Sequence, residues 1–377
     1  MKASFASPYL HLGALTAATL ITVVYYLALP PKSTTHRKKP LRSKLPSDLI
    51  TWRISDPTVD IEVYRAIWNE LIPLFAQHGL NLWKANWGFQ QQPDGLANAD
   101  GYLYLSAKVI NNTSLARVKQ FNGNNGLSHA ARYTRPGAVH DCVLRVITVR
   151  GQGHDHLRII RRLSLPPDAL LSSNHVLPMI NELVFEDIVI GVFPRLIYHL
   201  GEATDISKMN SVEDVLYMFL QAFEGIAYLH KNLIAHRDLF FENFLVEWLP
   251  QSLSERSSMT RPRVYIIDFE NAVEFSEDSV KSDRRCVGTP FPREIYGRPI
   301  PPELELAESY CPFRMDIWQF GTDLLEQSLT GLEEVDQLWI DLVSTQPESR
   351  PTASEALQRI DNYVRNTPPS FFHISRP

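Results

Sequence analysis

The sequence feature that most restricts the fold is a pair of short apolar runs in the second half of the chain. The first, NFLVEW, covers residues 243–248, and the second, RVYIIDF, covers residues 263–269. Short runs rich in β-branched and aromatic residues are typical of strands. The segment between them, LPQSLSERSSMTRP (249–262), is polar and serine-rich, which is typical of a loop. The pattern therefore predicts a β-hairpin with a long connection.

Three residues with oxygen-bearing side chains flank this hairpin. Asp238 and Asn243 lie in the loop that enters the first strand, and Asp268 ends the second. A hairpin can bring all three together. Phosphoryl transfer requires a carboxylate that orients the attacking hydroxyl, and oxygen ligands that hold Mg²⁺ against the phosphates of a nucleotide. The three residues are therefore candidates for a magnesium-dependent phosphoryl-transfer site.

The composition limits the class of protein. The 377 residues suffice for two or three lobes of about 150 residues each. A formal net charge of −5 gives no indication of a nucleic-acid partner, and none is expected. The three cysteines, Cys142, Cys286 and Cys311, are odd in number and lack metal-ligand spacing, so neither a disulfide framework nor a zinc site is expected. A reducing compartment is the simpler interpretation.

An uncharged apolar run, Leu10–Leu29, predicts a transmembrane helix. A helix of about twenty residues spans the roughly 30 Å hydrocarbon layer of a bilayer. The basic linker that follows (30–47) contains no acidic residue. By the positive-inside rule, the rest of the chain is expected in the cytoplasm, as the main part of a single-pass membrane protein. The helix and the linker are both expected to contact membrane lipid.

Two other interpretations of residues 10–29 stay open. A cleaved signal peptide fits the terminal position, although the run is long for such a segment and YLALP is a poor cleavage site. The protein would then be a secreted glycoprotein, and the sequons at Asn111 and Asn112 would matter. A buried core helix would need polar residues that this run mostly lacks.

Beyond the linker, the pattern predicts an α+β plan of two parts. A helix is expected over Asp60–Gly79, bent by Pro73, another over Gly153–Leu165, and a third capped by Ser211. The predicted segments are a tail (1–9), the transmembrane helix (10–29), the basic linker (30–47), an N-terminal extension (48–100), a small antiparallel-sheet lobe with one helix (101–200), a mostly helical lobe (201–365) and a C-terminal tail (366–377).

Five motifs, in order, resemble those of protein kinases over about residues 101–365. HRDLFFEN resembles the catalytic loop of that family, and DFE resembles its D-F-G. The other three are PPE (301–303), DIWQFG (316–321) and PESRPT (347–352). The resemblance implies a bilobal protein-kinase-like fold, binding of ATP and Mg²⁺, and a protein as substrate or regulatory partner.

The same resemblance implies roles for individual residues. These are catalytic roles for Asp238, Arg237 and Asn243, magnesium binding by Asn243 and Asp268, and structural roles for Glu303, Arg350 and Asp316. Glu303 is expected to pair with Arg350, and Asp316 is expected to bond backbone groups of the catalytic loop. Arg237 is expected to stabilise the segment that runs from Asp268 to Glu303.

The residues that would bind the nucleotide depart from the family pattern. Arg145 stands where the family has a lysine, and its forked guanidinium would place phosphates differently from an ammonium. The acid that would pair with it has no clean counterpart: Asp155 is the nearest candidate, and His156 is the other. The glycines of FNGNNG, Gly123 and Gly126, suit either a nucleotide-binding loop or an ordinary turn.

The catalytic loop departs as well. Phe240 replaces the lysine that steadies the transferring phosphate in serine/threonine kinases, and Glu242 replaces the arginine that tyrosine kinases use. Glu270 replaces the glycine of D-F-G and adds a negative charge near the metal site. Thr289 resembles a threonine that touches the catalytic aspartate in serine/threonine kinases, which favours that class.

A narrower resemblance is to a divergent group of kinase-like proteins from mushroom-forming fungi. It rests on HRDLFFENFLVEW, RPRVYIIDFE, RRCVGTPF and YGRPIPPE. The first hypothesis is a membrane-anchored protein kinase that transfers phosphate slowly from ATP to a protein hydroxyl. The alternative is a pseudokinase, a scaffold that recruits or regulates a partner at the membrane.

Overall fold

The structure, a computed structural model, describes residues 39–54, 60–87, 89–93, 120–123, 125–135, 138–205, 211–247, 262–306 and 308–372. The predicted transmembrane helix (10–29) and both sequons lie outside these ranges. Within them, no helix combines the length and the apolarity needed to cross a bilayer. The chain divides into two units, 1–45 and 46–377, and the described part of the first contains one helix, α1 (Lys39–Arg42).

The second unit contains the remaining elements. Its described helices are α2 (Leu49–Arg53), α3 (Ile61–Glu70), α4 (Ile72–Gln77), α5 (His154–Leu163), α6 (Leu200–Ala203), α7 (Val212–Lys231), α8 (Arg293–Tyr296), α9 (Pro302–Glu305), α10 (Pro312–Gln327), α11 (Glu333–Leu342) and α12 (Ala353–Asn366). Its described strands are β1 (Leu80–Leu82), β2 (Lys84–Asn86), β3 (Phe89–Gln91), β4 (Gln120–Phe121), β5 (Ser128–Arg135), β6 (Ala138–Val149), β7 (Asn181–Phe185), β8 (Ile188–Pro194), β9 (Tyr198–His199), β10 (Ile234–Ala235), β11 (Phe244–Glu247), β12 (Arg263–Ile266), β13 (Val273–Glu274), β14 (Cys286–Val287) and β15 (Ser309–Tyr310).

A five-stranded antiparallel sheet, in the order β1–β5–β6–β8–β7, forms the first part of the second unit. Strands β5 and β6 pair antiparallel, with Ser128 opposite Arg145 in their register. The alternation of side chains along β6 places Cys142, Leu144 and Val146 in the core. The sheet takes β1 from the segment 48–100, which the sequence assigns to an extension; the domain boundaries themselves stay predictions.

The short helix α2 docks onto the sheet through both its backbone and its side chains. The backbone amide of Leu49 donates to Oε1 of Gln152 at 2.9 Å. Trp52 is fully buried and meets Trp68 of α3 edge to face, with ring centroids 6.5 Å apart. Aromatic pairs in this geometry add stabilisation beyond the area that they bury. Helix α2 is therefore part of the packed domain.

The predicted helix over Asp60–Gly79 is interrupted before its proline. Helix α3 ends at Glu70 and α4 begins at Ile72, which places Pro73 in the first turn of the second helix. Proline lacks a backbone N–H and is tolerated in a first turn, where the amides have no partner within the helix. The bend is confirmed, and its position follows from this preference.

The second part of the unit is mostly helical. Its longest described helix, α7, begins after Ser211. The hydroxyl of Ser211 accepts from the amide of Asp214, and the carboxylate of Asp214 accepts from the amide of Ser211. This capping box confirms the predicted cap. The core of this part includes Trp339, whose ring contacts the rings of Phe219 and Phe223. A sheet part followed by a helical part confirms the predicted α+β plan.

The predicted hairpin lies where the two parts meet. Strands β11 and β12 pair antiparallel, with Phe244 opposite Ile266 and Glu247 opposite Arg263, and β9 pairs with the other side of β11. The segment 248–261, which connects β11 and β12, lies outside the described residues. Two smaller ladders, β10 with β13 and β14 with β15, fix the segments before and after the hairpin. The hairpin is therefore confirmed, and its ends determine where the candidate side chains lie.

Candidate active site

A cavity of about 620 Å³ lies between the five-stranded sheet and the β11–β12 hairpin. Val143, Arg145 and Phe193 line it from the sheet. Asn243, just before β11, and Asp268, just after β12, line it from the open end of the hairpin. Sites for small molecules and cofactors usually have volumes of about 300–1,000 Å³. The fold thus brings two predicted magnesium ligands and the predicted phosphate-binding arginine to one cavity.

Asp238 and Asn243 are joined directly. The side-chain amide of Asn243 donates to the backbone carbonyl of Asp238 at 2.7 Å and to its Oδ2 at 2.9 Å. The other carboxylate oxygen, Oδ1, is buried and accepts no hydrogen bond from any described residue. Burial raises the pKa of the Asp238 carboxyl, and the nearby Arg298 partly offsets this rise. One carboxylate oxygen is therefore held in place, while the other accepts no hydrogen bond from a described residue and faces Arg298.

One face of helix α10 holds the backbone of the catalytic loop. Asp316 accepts from the amides of His236 (2.9 Å) and Arg237 (2.6 Å). Further along the helix, Gln319 accepts from the Leu239 amide at 3.0 Å, and Asp323 accepts from the Phe241 amide at 2.6 Å. Residues three and four positions apart lie on one helix face, so a single rigid element fixes four backbone amides of the loop. The role predicted for Asp316 is observed, but Gln319 and Asp323 were not anticipated.

Asp268 follows β12 in a left-handed backbone conformation, with φ of 64°. Such a conformation is uncommon outside glycine, although aspartate is among the residues that adopt it most readily. Its Oδ1 accepts from a terminal nitrogen of Arg145 at 2.9 Å. The same guanidinium donates to Oγ of Ser128 at 3.2 Å, which anchors it to the sheet. Arg145 and Asp268 are therefore connected across the cavity.

The partner predicted for Arg145 is wrong. Asp155 is 86% exposed in its side chain and pairs with Arg158 at 3.3 Å instead. Helix α5 turns its next residue, His156, towards the cavity, and burial together with the charge of Arg145 lowers the pKa of His156 to about 3. Because adjacent helical residues point about 100° apart, only one of the two can face the cavity.

Glu270 supplies the carboxylate that Arg145 needs. Its Oε2 accepts from Arg145 at 3.2 Å and from Arg53 at 2.6 Å. Charges therefore alternate from Arg53 through Glu270 and Arg145 to Asp268. Each cation of this series contacts an anion, which offsets part of the cost of removing these groups from water. The glutamate that departs from the D-F-G pattern thus has a defined position in the site.

The two predicted loop glycines have different surroundings. Gly123 lines the cavity, whereas Gly126 lies outside its lining. A Cβ at position 126 would stand 2.7 Å from the carbonyl oxygen of Trp52 and 2.9 Å from that of Arg53. Gly126 therefore allows close approach of the α2 segment rather than binding a cofactor, and this part of the prediction is wrong.

Two arginines hold the segment that follows the hairpin. The guanidinium of Arg237 donates to the hydroxyl of Tyr310 at 3.1 Å and 3.2 Å, and to the carbonyl oxygen of Gly288 at 3.4 Å, which lies within the segment that Arg237 is expected to stabilise. Arg350 is fully buried in its side chain and forms two parallel bonds to Glu303, at 2.6 Å and 2.8 Å. The hydroxyl of Thr289 donates to the Phe291 carbonyl rather than to Asp238.

Arg298 is a further residue at this site that sequence analysis missed. Its Nε lies 3.6 Å from Oδ1 of Asp238, and one terminal nitrogen donates to Glu242 at 3.2 Å. Its guanidinium carbon stands 4.9 Å from the ring centre of Phe240. The contacts join positions 56–60 residues apart, and no local periodicity in the sequence indicates them.

Asn243 and Asp268 fit a magnesium ion by their chemistry. Mg²⁺ in nucleotide sites is usually bound by one or two carboxylates together with the phosphates of the substrate, rather than by a complete protein cage. The described residues contain no cluster of three or more histidine, cysteine, aspartate or glutamate residues suited to a metal. The buried, unbonded Oδ1 of Asp238 adds a further acceptor beside this pair.

Fold and site together define a protein-kinase-like domain. A profile of the family described as protein tyrosine and serine/threonine kinase matches residues 170–360, half of the chain. The chain belongs to this family.

Individual relatives resemble parts of the chain. Serine/threonine-protein kinase SRK2E of Arabidopsis thaliana is 29% identical over 44% of this chain and 37% of its own length. Serine/threonine-protein kinase CAK1 of Saccharomyces cerevisiae is 37% identical over 18% of this chain and 16% of its own length. The protein R436 of Acanthamoeba polyphaga mimivirus is 22% identical over 43% of this chain and 60% of its own length. In each case the match spans less than two thirds of the relative.

Proposed function

We propose that the protein transfers the terminal phosphoryl group of ATP to a protein hydroxyl, with Mg²⁺ bound beside the phosphates. The observation that carries this proposal is that Asn243, Asp268 and Arg145 line one cavity and that Asn243 holds Asp238 by two hydrogen bonds. Family membership supports the reaction class. The relatives named as serine/threonine kinases favour serine or threonine as the acceptor over tyrosine.

Each residue has a distinct task in this proposal. Asp238 accepts a hydrogen bond from the acceptor hydroxyl through Oδ1, the oxygen that Asn243 does not bind, and receives the proton of that hydroxyl. Asn243 and Asp268 provide the oxygen ligands for magnesium, which neutralises charge on the phosphates when bound. Arg145 binds the phosphates from the side of the sheet, and Glu270 keeps its guanidinium in place.

The reaction is expected to be slow. A guanidinium carries its charge over a wider, forked group than an ammonium, so the phosphates are positioned less tightly. Arg145 must also exchange part of its contact with Asp268 and Glu270 for contact with the nucleotide. The narrower kinship with kinase-like proteins of mushroom-forming fungi remains part of this proposal, based on the motifs quoted above.

A second candidate function is that of a pseudokinase scaffold. One observation favours it: Arg145 binds both Asp268 and Glu270, so the charges that would receive Mg·ATP already satisfy one another. In this case the protein would recruit or regulate a partner at the membrane without transferring phosphate.

A thermal-shift titration tests nucleotide binding. Mg·ATP is expected to raise the unfolding temperature of the full chain in detergent, because a ligand present at 100 times its Kd stabilises the folded state by about 2.7 kcal/mol. The shift should require Mg²⁺ and should disappear in Asp268→Asn. Asp155→Asn is the matched control, since it makes the same chemical change at an exposed position. Absence of a metal-dependent shift in the wild-type chain would contradict the proposal.

We also propose that residues 10–29 anchor the protein in a membrane, with the kinase domain in the cytoplasm and the basic linker (30–47) at anionic lipid headgroups. The uncharged run and the basic residues after it support this. The full chain is expected to stay in the membrane pellet after extraction with alkaline carbonate, whereas a chain lacking residues 1–29 should be released. A glycosidase-sensitive gel shift that depends on Asn111 or Asn112 would overturn the cytoplasmic orientation.

A further inference from the structure

The catalytic loop lacks a cation of its own for the transferring phosphoryl group. Position 240, two residues after Asp238, is phenylalanine, and position 242 is glutamate. The phosphoryl group carries negative charge on its equatorial oxygens during transfer, and fixed positive charge at that place is a main source of rate acceleration. A cation that reaches this place from another part of the chain would add to the charge that Mg²⁺ and Arg145 supply.

Arg298 reaches the loop from the segment after α8. Gly297 ends that helix with φ of 60°, a left-handed conformation that glycine adopts at little cost, and the chain turns there. The Arg298 side chain then contacts Asp238, Glu242 and Phe240. It is 30% exposed, so the cation is held in place but is still accessible to a phosphate.

The two unusual loop residues are the ones that hold Arg298. The ring of Phe240 offers its face to the guanidinium, an arrangement that attracts cations. The carboxylate of Glu242 accepts a charge-assisted hydrogen bond from the same group. Glu242 also lines the cavity beside Asn243, so the arginine is bonded to a residue of the cavity wall. The two residues that leave positions 240 and 242 without a cation are therefore the same two that bind Arg298.

We propose that Arg298 is a catalytic residue that binds the transferring phosphoryl group, in place of a cation within the loop. This inference deepens the proposed kinase function and rests on it. In the reaction, the bond between the γ-phosphorus and the oxygen that bridges it to the β-phosphate breaks, and ADP leaves with both electrons of that bond. The acceptor hydroxyl oxygen bonds to the same phosphorus, and its proton passes to Asp238. Arg298 neutralises charge on the phosphoryl oxygens in between.

The opposite role for Arg298 is inhibitory. A guanidinium 3.6 Å from Oδ1 of Asp238 can also compete with the acceptor hydroxyl for that oxygen. The two roles predict changes of opposite sign, because removal of a catalytic cation lowers kcat, whereas removal of an inhibitory one raises it.

The first test measures phosphoryl transfer by radiolabelled autophosphorylation of the full chain. Arg298→Ala is expected to lower kcat by about 10²–10³-fold, the usual effect of losing one preorganised charge-stabilising group. Arg298→Lys keeps the charge and should retain more activity than Arg298→Ala. Arg263→Ala is the matched control, because Arg263 also lies over an aromatic ring, that of Tyr265 at 5.7 Å, but contacts neither Asp238 nor Glu242.

The decisive variant returns a cation to the loop. Phe240→Lys in the Arg298→Ala background is expected to recover at least tenfold of the lost kcat, because it places an ammonium beside Asp238. A purely structural role of Arg298 would not be rescued in this way. Thermal unfolding of each variant shows whether it is folded.

A binding measurement tests the same contact without turnover. Calorimetry with magnesium and either ADP or a non-hydrolysable ATP analogue should show that Arg298→Ala weakens binding of the analogue but not binding of ADP. Any of three results would overturn the inference. These are an unchanged or increased kcat in Arg298→Ala, no rescue by Phe240→Lys in a folded protein, and equally weakened binding of both nucleotides to Arg298→Ala. If the wild-type chain binds nucleotide but transfers no phosphate, the proposed function fails, and the ratio of the two affinities alone decides whether Arg298 contacts the γ-phosphate.

Discussion

Asp238→Asn is expected to lower the rate of phosphoryl transfer by about 10²–10⁴-fold, the range that general base catalysis usually contributes. An amide at this position keeps the size of the side chain but cannot take the proton of the acceptor hydroxyl. Affinity for Mg·ATP should change little, because the predicted metal ligands are Asn243 and Asp268. Radiolabelled autophosphorylation of the full chain measures the rate, and the thermal shift with Mg·ATP measures binding.

The matched control for this substitution is Asp155→Asn, which changes an exposed aspartate in the same way. Its rate should equal that of the wild-type chain. Equal labelling of the wild-type chain and Asp238→Asn would exclude Asp238 as the base. If nucleotide still stabilised both proteins, the pseudokinase scaffold would become the better description.

Glu303→Ala is expected to destabilise the protein by about 3 kcal/mol, the lower end of the cost of removing one partner from a buried ion pair. Arg350 is fully buried, and the substitution leaves its charge without a carboxylate. Its guanidinium still donates to the carbonyl oxygens of Ser344 at 2.8 Å and Arg314 at 3.0 Å, which limits the loss. The midpoint of thermal or urea unfolding, compared with that of the wild-type chain, measures the effect.

An exposed ion pair provides the comparison for this prediction. Asp341 and Arg359 pair at 2.7 Å, with side chains that are 34% and 43% exposed. Asp341→Ala should cost about 1 kcal/mol or less, since solvent and salt screen such pairs. If both substitutions had the same small effect, burial of Arg350 would not be what makes its ion pair important.

Sequence alone predicted the hairpin and the residues at its ends. The apolar runs of β11 and β12 and the polar segment between them carry a local signal, and the register of the hairpin brings Asn243 and Asp268 to one cavity. The link between Asp238 and Asn243 lies within a single loop. Such features depend on few residues close in sequence, so periodicity and spacing suffice to find them.

The partner of Arg145 could not be predicted in the same way. A search along helix α5 for an acid suggested Asp155, but the orientation of a helix around its own axis depends on packing against the sheet. That packing turns His156 inward and Asp155 outward. Glu270 follows Asp268 closely in sequence, but its contact with Arg145 depends on the direction of the backbone after Asp268, which has a left-handed conformation.

The residues of α10 that hold the catalytic loop could be predicted only in part from the sequence. Gln319 and Asp323 follow Asp316 at spacings of three and seven residues, so the polar face of α10 is visible in the sequence. A polar face on a helix usually meets solvent, and its burial against a loop is a property of the tertiary structure. Arg298 carries no local signal, because its contacts reach residues about sixty positions earlier.

The bond between Arg53 and Glu270 has a practical consequence for dissecting this protein. A fragment that begins at residue 60 would lack α2 and leave Glu270, the anion beside Arg145, short of one cation. Low activity in such a fragment would then reflect the trimming rather than a property of the native protein. Comparative assays should use a piece that starts at or before Pro46, where the second unit begins.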